Sequence, residues 1–150
     1  MTESGLKIRL QDAMKAALRA RERARLDTIR LMLAEVQRIE VDERIALDDA
    51  RVLAVLDKMT KQRRDSAAQY RSAGREELAA QELAEIEIIA DFLPTALSAA
   101  EITALIERAI AGSGASSARD MGKVMAILKP ELQGRADIGA VSAQVKARLG

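Results

Sequence analysis

Hydrophobic residues recur at intervals of three and four positions along most of the chain, which places them on one face of a helix. No stretch alternates between apolar and polar residues as a half-buried strand does, and no segment repeats. The pattern predicts an all-α protein with seven helices. Their expected ranges are roughly 4–20, 23–44, 48–73, 75–93, 98–112, 117–129 and 137–149.

The third and fourth helices have the clearest ends in the first part of the chain. Asp48 or Asp49 is the expected N-cap of the third helix, because a short acidic side chain can accept hydrogen bonds from the first backbone amides. Gly74 suits the left-handed position that follows a helix, and Pro94 ends the fourth helix. No breaker separates the first two helices, so they could be continuous.

Two capping patterns mark the last third of the chain. Ser98 precedes Glu101, and Ser117 precedes Asp120, at the three-residue spacing of a capping box. These patterns are expected to open the fifth and sixth helices. A Gly-Ser-Gly run at 112–114 ends the fifth helix.

The natural division of the chain lies near residues 94–98. Residues 1–94 contain four longer helices, which can bury a bundle core of their own. Residues 95–150 contain three short helices and lie near the lower size limit for independent folding. We therefore expect a four-helix bundle-like domain followed by a small three-helix domain.

The composition excludes several classes of function. The 150 residues include neither Cys nor His, which rules out zinc fingers, disulfide frameworks, cysteine nucleophiles and histidine-based triads. We expect no catalytic residue, metal or cofactor. No apolar run approaches the roughly 20 residues that cross a bilayer, and the start of the sequence lacks a signal-peptide pattern. These features predict a cytoplasmic protein with no membrane partner, and they leave the oligomeric state open.

Charge is segregated along the chain, although the net charge is only +1. Basic residues dominate positions 6–30, 58–75 and 119–150, whereas positions 76–91 hold six acids and no base. The near-neutral total therefore hides basic segments that an anionic partner could contact.

One basic residue of the third helix interrupts its hydrophobic face. The apolar residues of that face are Val52, Leu56, Met59, Ala67 and Tyr70. On a helical wheel Arg63 falls in the middle of this face. Either Arg63 is half-buried and paired with a carboxylate from a neighbouring helix, for which Glu40 is the expected partner, or it lies in a cleft and holds a phosphate or carboxylate. The first interpretation is favoured, because an unpaired interior charge is costly.

The acidic fourth helix has the residue types of a metal-binding carboxylate cluster. Glu82, Glu85 and Glu87 have helical spacing, but a Glu-x-x-His metal motif is impossible without histidine. We expect these acids to form a solvated face or to pair with the basic third helix.

The sequence MGKVMAILKPELQGRAD at 121–137 combines cations with a turn. The sixth helix is expected to end near Lys129, because Pro130 follows it. Gly134 frees the backbone to turn, Arg135 extends from that turn, and Asp137 caps the last helix. The segment is either a structural turn or a junction that contacts phosphates beside a helix N-terminus. Its spacing excludes a Walker loop and a dinucleotide fingerprint.

This run and the stretch KQRRDSAAQYRSAGREELAAQELAEIEIIADFLPTALS resemble the YqeY family over essentially the whole chain. They are also similar to the tail of the B subunit of the glutamine-dependent amidotransferase that makes Gln-tRNA or Asn-tRNA, most strongly from about Lys58 onward. Ala126 and Ile127 depart from the family pattern, which commonly has a glycine-containing step there. The positions that match the small-domain motif are Met121, Gly122, Lys123, Val124, Met125, Lys129, Pro130, Gly134, Arg135, Ala136 and Asp137.

The resemblance implies a four-helix domain followed by a small helical domain. In the amidotransferase the tail contacts the tRNA body, while amide hydrolysis and phosphoryl activation belong to other parts of the enzyme. The family-level label is carbon–nitrogen ligase activity with glutamine as the amido donor, but this sequence contains neither of those catalytic parts.

The leading hypothesis is a non-catalytic, tRNA-associated module whose cations contact RNA phosphates. Among the candidate RNA-binding residues, Arg63 is the one that we expect to form an internal ion pair in preference to contacting RNA. The candidate RNA-binding residues are Lys61, Arg63, Arg64, Lys123, Lys129 and Arg135. One alternative is a protein-interaction adaptor that docks through Met121, Met125 and Leu128, if that face is exposed. Another is an accessory factor of the tRNA-dependent amidotransferase.

Overall fold

A computed structural model describes residues 4–150, and within that range the protein is all-α, with helices joined by short loops and no strand, as the sequence predicts. The α-helices are α1 (Gly5–Ala20), α2 (Arg23–Glu43), α3 (Asp49–Ser72), α4 (Glu76–Ala90), α5 (Ala99–Ser113), α6 (Met121–Leu132) and α7 (Ile138–Leu149). A single 3₁₀ turn, Ala118–Asp120, precedes α6. The chain divides between Leu93 and Pro94 into two compact units, which we call the bundle unit (α1–α4) and the tail unit (α5–α7).

The bundle unit encloses a core of aliphatic side chains and one aromatic ring. Its most buried members are Leu10, Ile29, Met32, Val36, Leu47, Val52, Leu56, Ile89 and Phe92. The helices α3 and α4 pack along each other, and Gly74 lies in the turn between them with a φ of 74°. Because a left-handed residue without a Cβ is unstrained, Gly74 ends α3 as its position after Ser72 predicts.

The helices α1 and α2 are separate, which settles the question that the sequence left open. Arg21 follows α1 in the left-handed conformation, with a φ of 58°. Its backbone N–H donates to the carbonyl oxygens of Ala17 and Leu18, so the break satisfies carbonyl groups that the end of α1 leaves unpaired. A charged residue therefore occupies a position where glycine is the usual choice.

Asp48 and Asp49 have different tasks at the start of α3. Asp48 is the N-cap, and its Oδ1 accepts a hydrogen bond of 2.9 Å from the backbone N–H of Arg51. Asp49 instead reaches the start of α1, where its Oδ1 accepts from the Ser4 hydroxyl and from the backbone N–H of Leu6. The first turns of two helices are joined in this way.

The tail unit has its own hydrophobic core, formed by one face of each of its three helices. The core residues are Ile106, Ala109, Val124, Met125, Leu128, Leu132, Val141 and Val145. The capping box predicted at the start of α5 is confirmed, because Ser98 and Glu101 exchange backbone and side-chain hydrogen bonds of 3.1 Å each. Asp137 caps α7, as predicted, by accepting from the backbone N–H groups of Gly139 and Ala140.

The second predicted capping box is wrong. The side chain of Ser117 makes no capping hydrogen bond, and Asp120 Oδ2 accepts from the backbone N–H of Ser116 at 3.0 Å. The reason is that a 3₁₀ turn, and not α-helix, follows Ser117, so the amide spacing of a capping box is not available.

The predicted end of α6 near Lys129 is also wrong, since the helix continues through Pro130 to Leu132. Proline removes one donor in the last turn, and the carbonyl group that loses its partner belongs to the exposed residue Ala126. Leu132 is fully buried in the tail core, and the Gln133 N–H donates to the Lys129 carbonyl at 3.1 Å. Core packing therefore keeps the last turn helical.

Candidate nucleic-acid interface

The helix α6 presents two lysines on the face that points away from the tail core. Lys123 and Lys129 are exposed, and the small residue Ala126 lies between them, with the small residue Gly122 one turn before Ala126; both small residues are exposed. The two lysines are six residues apart, or about 9 Å along the helix axis. The opposite face, with Val124 and Leu128, is buried. We call this solvent-facing side of α6 the lysine face.

The two lysines differ in how far protein carboxylates neutralise them. Lys123 Nζ lies 3.8 Å from Asp120 Oδ1, and 71% of the lysine side chain is exposed, so this pair is weak. Lys129 forms no ion pair with any residue from 4 to 150. The pKa of Asp120 lies below its usual range, first because the Ser116 N–H donates to it and further because of Lys123. Asp120 is therefore ionised and offsets part of the Lys123 charge.

Arg135 lies at a sharp turn after α6 and forms hydrogen bonds with the first residues of the tail unit. Gly134 precedes it with a φ of 74°, a conformation that glycine adopts without strain. Arg135 Nε donates to the Thr95 carbonyl at 2.9 Å, and the Leu97 N–H donates to the Arg135 carbonyl at 2.9 Å. One edge of the guanidinium group is therefore engaged, and the remaining N–H groups are the part that could meet a phosphate.

In the bundle unit, Lys61 and Arg64 lie three residues apart on the exposed side of α3. Residues at this spacing share a helix face. Neither side chain forms an ion pair within the described range, so both keep their full charge toward solvent.

Arg63 is half-buried between α3 and α4, and Glu85 is its partner. Arg63 Nε lies 2.8 Å from Glu85 Oε2, and the two side chains are 14% and 22% exposed. The guanidinium group also donates to the Met59 carbonyl at 3.3 Å. The internal ion pair expected for Arg63 is therefore present, and it joins the basic third helix to the acidic fourth.

The predicted partner Glu40 is wrong. Glu40 binds the Lys7 ammonium group at 2.7 Å and accepts from the backbone N–H of Leu47 at 2.9 Å. These contacts place Glu40 between α1 and the loop that leads to α3. The wheel angle of Glu40 is compatible with Arg63, but a wheel does not show how far along the neighbouring helix a residue lies.

No group of three or more acidic residues within positions 4–150 is arranged to hold a metal ion. Glu82 and Glu85 are half-buried, and Glu85 is committed to Arg63. No helix in the described part of the chain is long and apolar enough to cross a membrane.

Sequence reasoning missed one basic feature, at the junction of α1 and α2. Arg21, Arg23 and Arg30 line an open depression there together with Leu18 and Leu26. The run RARERAR at 19–25 was the available signal in the sequence. A count of charges shows that this run is basic, but it does not show which of its side chains share a surface.

A family model described as Yqey-like protein matches residues 7–149. The chain belongs to the YqeY family. This YqeY-family protein is similar to "Altered inheritance of mitochondria protein 41, mitochondrial" of Pyrenophora tritici-repentis, with 28% identity over 146 residues, which span 95% of this chain and 80% of the relative. It is also similar to the protein of the same name from Vanderwaltozyma polyspora, with 32% identity over 85 residues, 56% of this chain and 46% of the relative.

These relatives contradict the predicted cytoplasmic location, because both are named as mitochondrial proteins. The sequence argument was weak at this point, since it inferred a compartment from the absence of targeting patterns. The names of both relatives mention neither RNA nor carbon–nitrogen ligase chemistry.

Proposed function

We propose that this YqeY-family protein is a non-catalytic RNA-binding module that contacts tRNA phosphates. The observation behind the proposal is the set of exposed, weakly paired cations on regular helices: Lys129 and Lys123 on α6, and Lys61 and Arg64 on α3. Rigid helices hold such cations at fixed spacings, which suits the phosphate groups of folded RNA. Arg63 is left out, because Glu85 neutralises it.

The lysine face is well shaped for close approach of a polyanion. Ala126 lies between its two cations, Gly122 lies one turn before Ala126, and the space beside Gly122 is open even to an added Cβ atom. Small residues let the RNA backbone approach the helix while the longer lysine side chains reach phosphates on either side.

Base stacking contributes little to this proposal. The chain has one Tyr and one Phe, and Phe92 is only 3% exposed. Its ring is covered by the guanidinium groups of Arg9 and Arg25, at 5.2 and 5.3 Å from the ring centroid. Recognition should therefore follow RNA shape and charge more than base sequence.

The proposal predicts salt-dependent tRNA binding by the full chain. If about four phosphates are neutralised, the association constant should fall with salt concentration on a log–log slope on the order of −3 to −4. Fluorescence anisotropy with labelled tRNA over a salt series measures this slope. Absence of binding at low salt, or binding that salt does not weaken, would contradict the proposal.

One matched pair of variants locates the contact. Lys129→Glu should weaken binding about tenfold near 0.1 M salt and reduce the magnitude of the salt slope by about one. Lys146→Glu makes the same charge change at an exposed position of α7 and should leave binding within about twofold of wild type. Equal loss in both variants would show that net charge, and not the lysine face, governs binding.

The adaptor alternative loses its expected docking surface. Met125 is 8% exposed and Leu128 is 1% exposed, and both belong to the core of the tail unit, against which Met121 also packs. A partner could reach this face only by displacing α7 or α5, so we do not propose docking there.

A further inference from the structure

The junction of α1 and α2 forms a basic depression that the proposed function does not use. Its volume is about 380 Å³, and it is lined by Leu18, Arg21, Arg23, Leu26 and Arg30. The three arginines are exposed, and Leu18 is 56% exposed at the rim. We call this feature the arginine turn.

The lining residues of the arginine turn carry three positive charges, while the exposed Glu22 lies between Arg21 and Arg23 in the chain. None of the described residues that line the arginine turn is acidic. Among residues 4–150, the carboxylate paired with a lining residue is that of Asp27, which lies 3.8 Å from Arg23 Nε; the side chains of Asp27 and Arg23 are 56% and 91% exposed. A pair so long and so exposed neutralises little charge.

Arg21 occupies its position at a cost to the fold. Its φ of 58° lies in the left-handed region, where a residue with a Cβ is strained and glycine is not. Glycine would end α1 with less strain, so the hydrogen bonds of the helix end do not explain the arginine. A glycine at this position would lack the positive charge that Arg21 places beside two more arginines.

Leu18 indicates which kind of anion fits. An exposed leucine gains nothing from a phosphate group, but it gains from contact with hydrocarbon. Arginines around an exposed leucine therefore match a surface that carries phosphates above an apolar layer. An anionic bilayer offers this combination, because its headgroups carry phosphates that arginine can pair with and hydrocarbon lies just below them.

We propose that the arginine turn binds anionic phospholipid headgroups at a bilayer surface, with Leu18 entering the headgroup–acyl boundary. Arg21, Arg23 and Arg30 contact the lipid phosphates. The contact is peripheral and reversible, since no helix within residues 4–150 is long and apolar enough to span a bilayer. This proposal differs from the expectation of no membrane partner, which stays a prediction, and it does not depend on tRNA binding by the lysine face.

Co-sedimentation of the full chain with vesicles tests the proposal. Vesicles of phosphatidylcholine with about 30% phosphatidylserine should bind the protein, and pure phosphatidylcholine vesicles should bind it at least about tenfold more weakly at low salt. Equal binding to the two compositions would overturn the proposal.

Two matched pairs of variants make the test specific. Arg21→Gly should raise the unfolding temperature, because it removes left-handed strain, yet reduce vesicle binding about fivefold, because it removes one charge. Arg44→Gly removes an arginine from the same conformation at the end of α2, where φ is 56°, and should also stabilise the fold but leave vesicle binding unchanged. Equal vesicle binding by these two variants would overturn the proposal.

The second pair tests the apolar contact. Leu18→Ser should reduce vesicle binding about three- to tenfold. Leu31→Ser alters a leucine that is 48% exposed on α2 but does not line the depression, and it should have no effect. If Arg21→Gly and Leu18→Ser spare vesicle binding and instead weaken tRNA binding, the arginine turn is part of the RNA interface and the lipid proposal is wrong.

Discussion

At the scale of single residues, Arg63 shows what a sequence can and cannot predict. Its position within the apolar face of the third helix indicates a buried charge, and a buried charge requires an opposite partner. The identity of the partner depends on how α4 and α2 lie against α3, which helical periodicity does not contain. Glu85 is the partner because α4 packs along α3, whereas Glu40 binds Lys7.

Arg63→Met should lower the free energy of unfolding of the bundle unit by about 2 kcal/mol, because it leaves Glu85 half-buried without its partner. Arg64→Met removes the neighbouring exposed arginine and should cost less than about 0.5 kcal/mol. Urea unfolding followed by the fluorescence of Tyr70, the one tyrosine of the chain, measures both. Adding Glu85→Leu to Arg63→Met should recover much of the loss, and a double variant less stable than the single would contradict this account.

At the scale of helices, capping and packing decide the ends in different places. The capping box at Ser98 and the cap at Asp137 could be predicted from sequence, because each depends only on residues within one turn. The end of α6 could not, because burial of Leu132 in the tail core outweighs the local effect of Pro130. The Ser117 pattern failed for a related reason, since the backbone there forms a 3₁₀ turn.

Two serine substitutions separate a working cap from a sequence pattern. Ser98→Ala should destabilise the tail unit by about 1 kcal/mol, because the N–H of Glu101 loses its acceptor. Ser117→Ala should change stability by less than about 0.5 kcal/mol, since its side chain caps nothing. Hydrogen exchange of the α5 and α6 amides measures the effect within the tail unit. Equal effects of the two substitutions would contradict the assigned hydrogen bonds.

At the scale of the whole molecule, the net charge is close to zero, but individual carboxylates in the bundle unit hold parts of the fold together. The Lys7 ammonium group and then the Leu47 N–H hold the pKa of Glu40 below its ordinary value of 4.5. The Ser4 hydroxyl and then the Leu6 N–H hold the pKa of Asp49 below 3.8. Both carboxylates tie the start of α1 to distant parts of the unit, so their protonation loosens the same region.

The bundle unit should therefore lose stability in acid. A carboxyl group whose pKa is lower in the folded state stabilises fully above its unfolded pKa, and that stability disappears as the pH falls through the folded pKa. We expect unfolding temperatures to fall below about pH 4.5, and Glu40→Gln to be less stable at neutral pH by about 1–2 kcal/mol with a flatter acid dependence. Circular dichroism melts across the pH range measure this, with the exposed Glu87→Gln as control. An acid dependence of Glu40→Gln as steep as that of wild type would contradict the role of this carboxylate.

The last residues of the bundle unit are fastened from two helices at once. Arg9 donates to the Asp91 carbonyl at 2.7 Å, and Arg25 binds the Asp91 carboxylate at 2.6 Å, while both guanidinium groups cover the Phe92 ring. Asp91, where the two arginines meet, lies two residues before Leu93, the last residue of the bundle unit. A chain truncated after Leu93 would therefore keep all of these contacts, because both arginines belong to the same unit as Asp91 and Phe92.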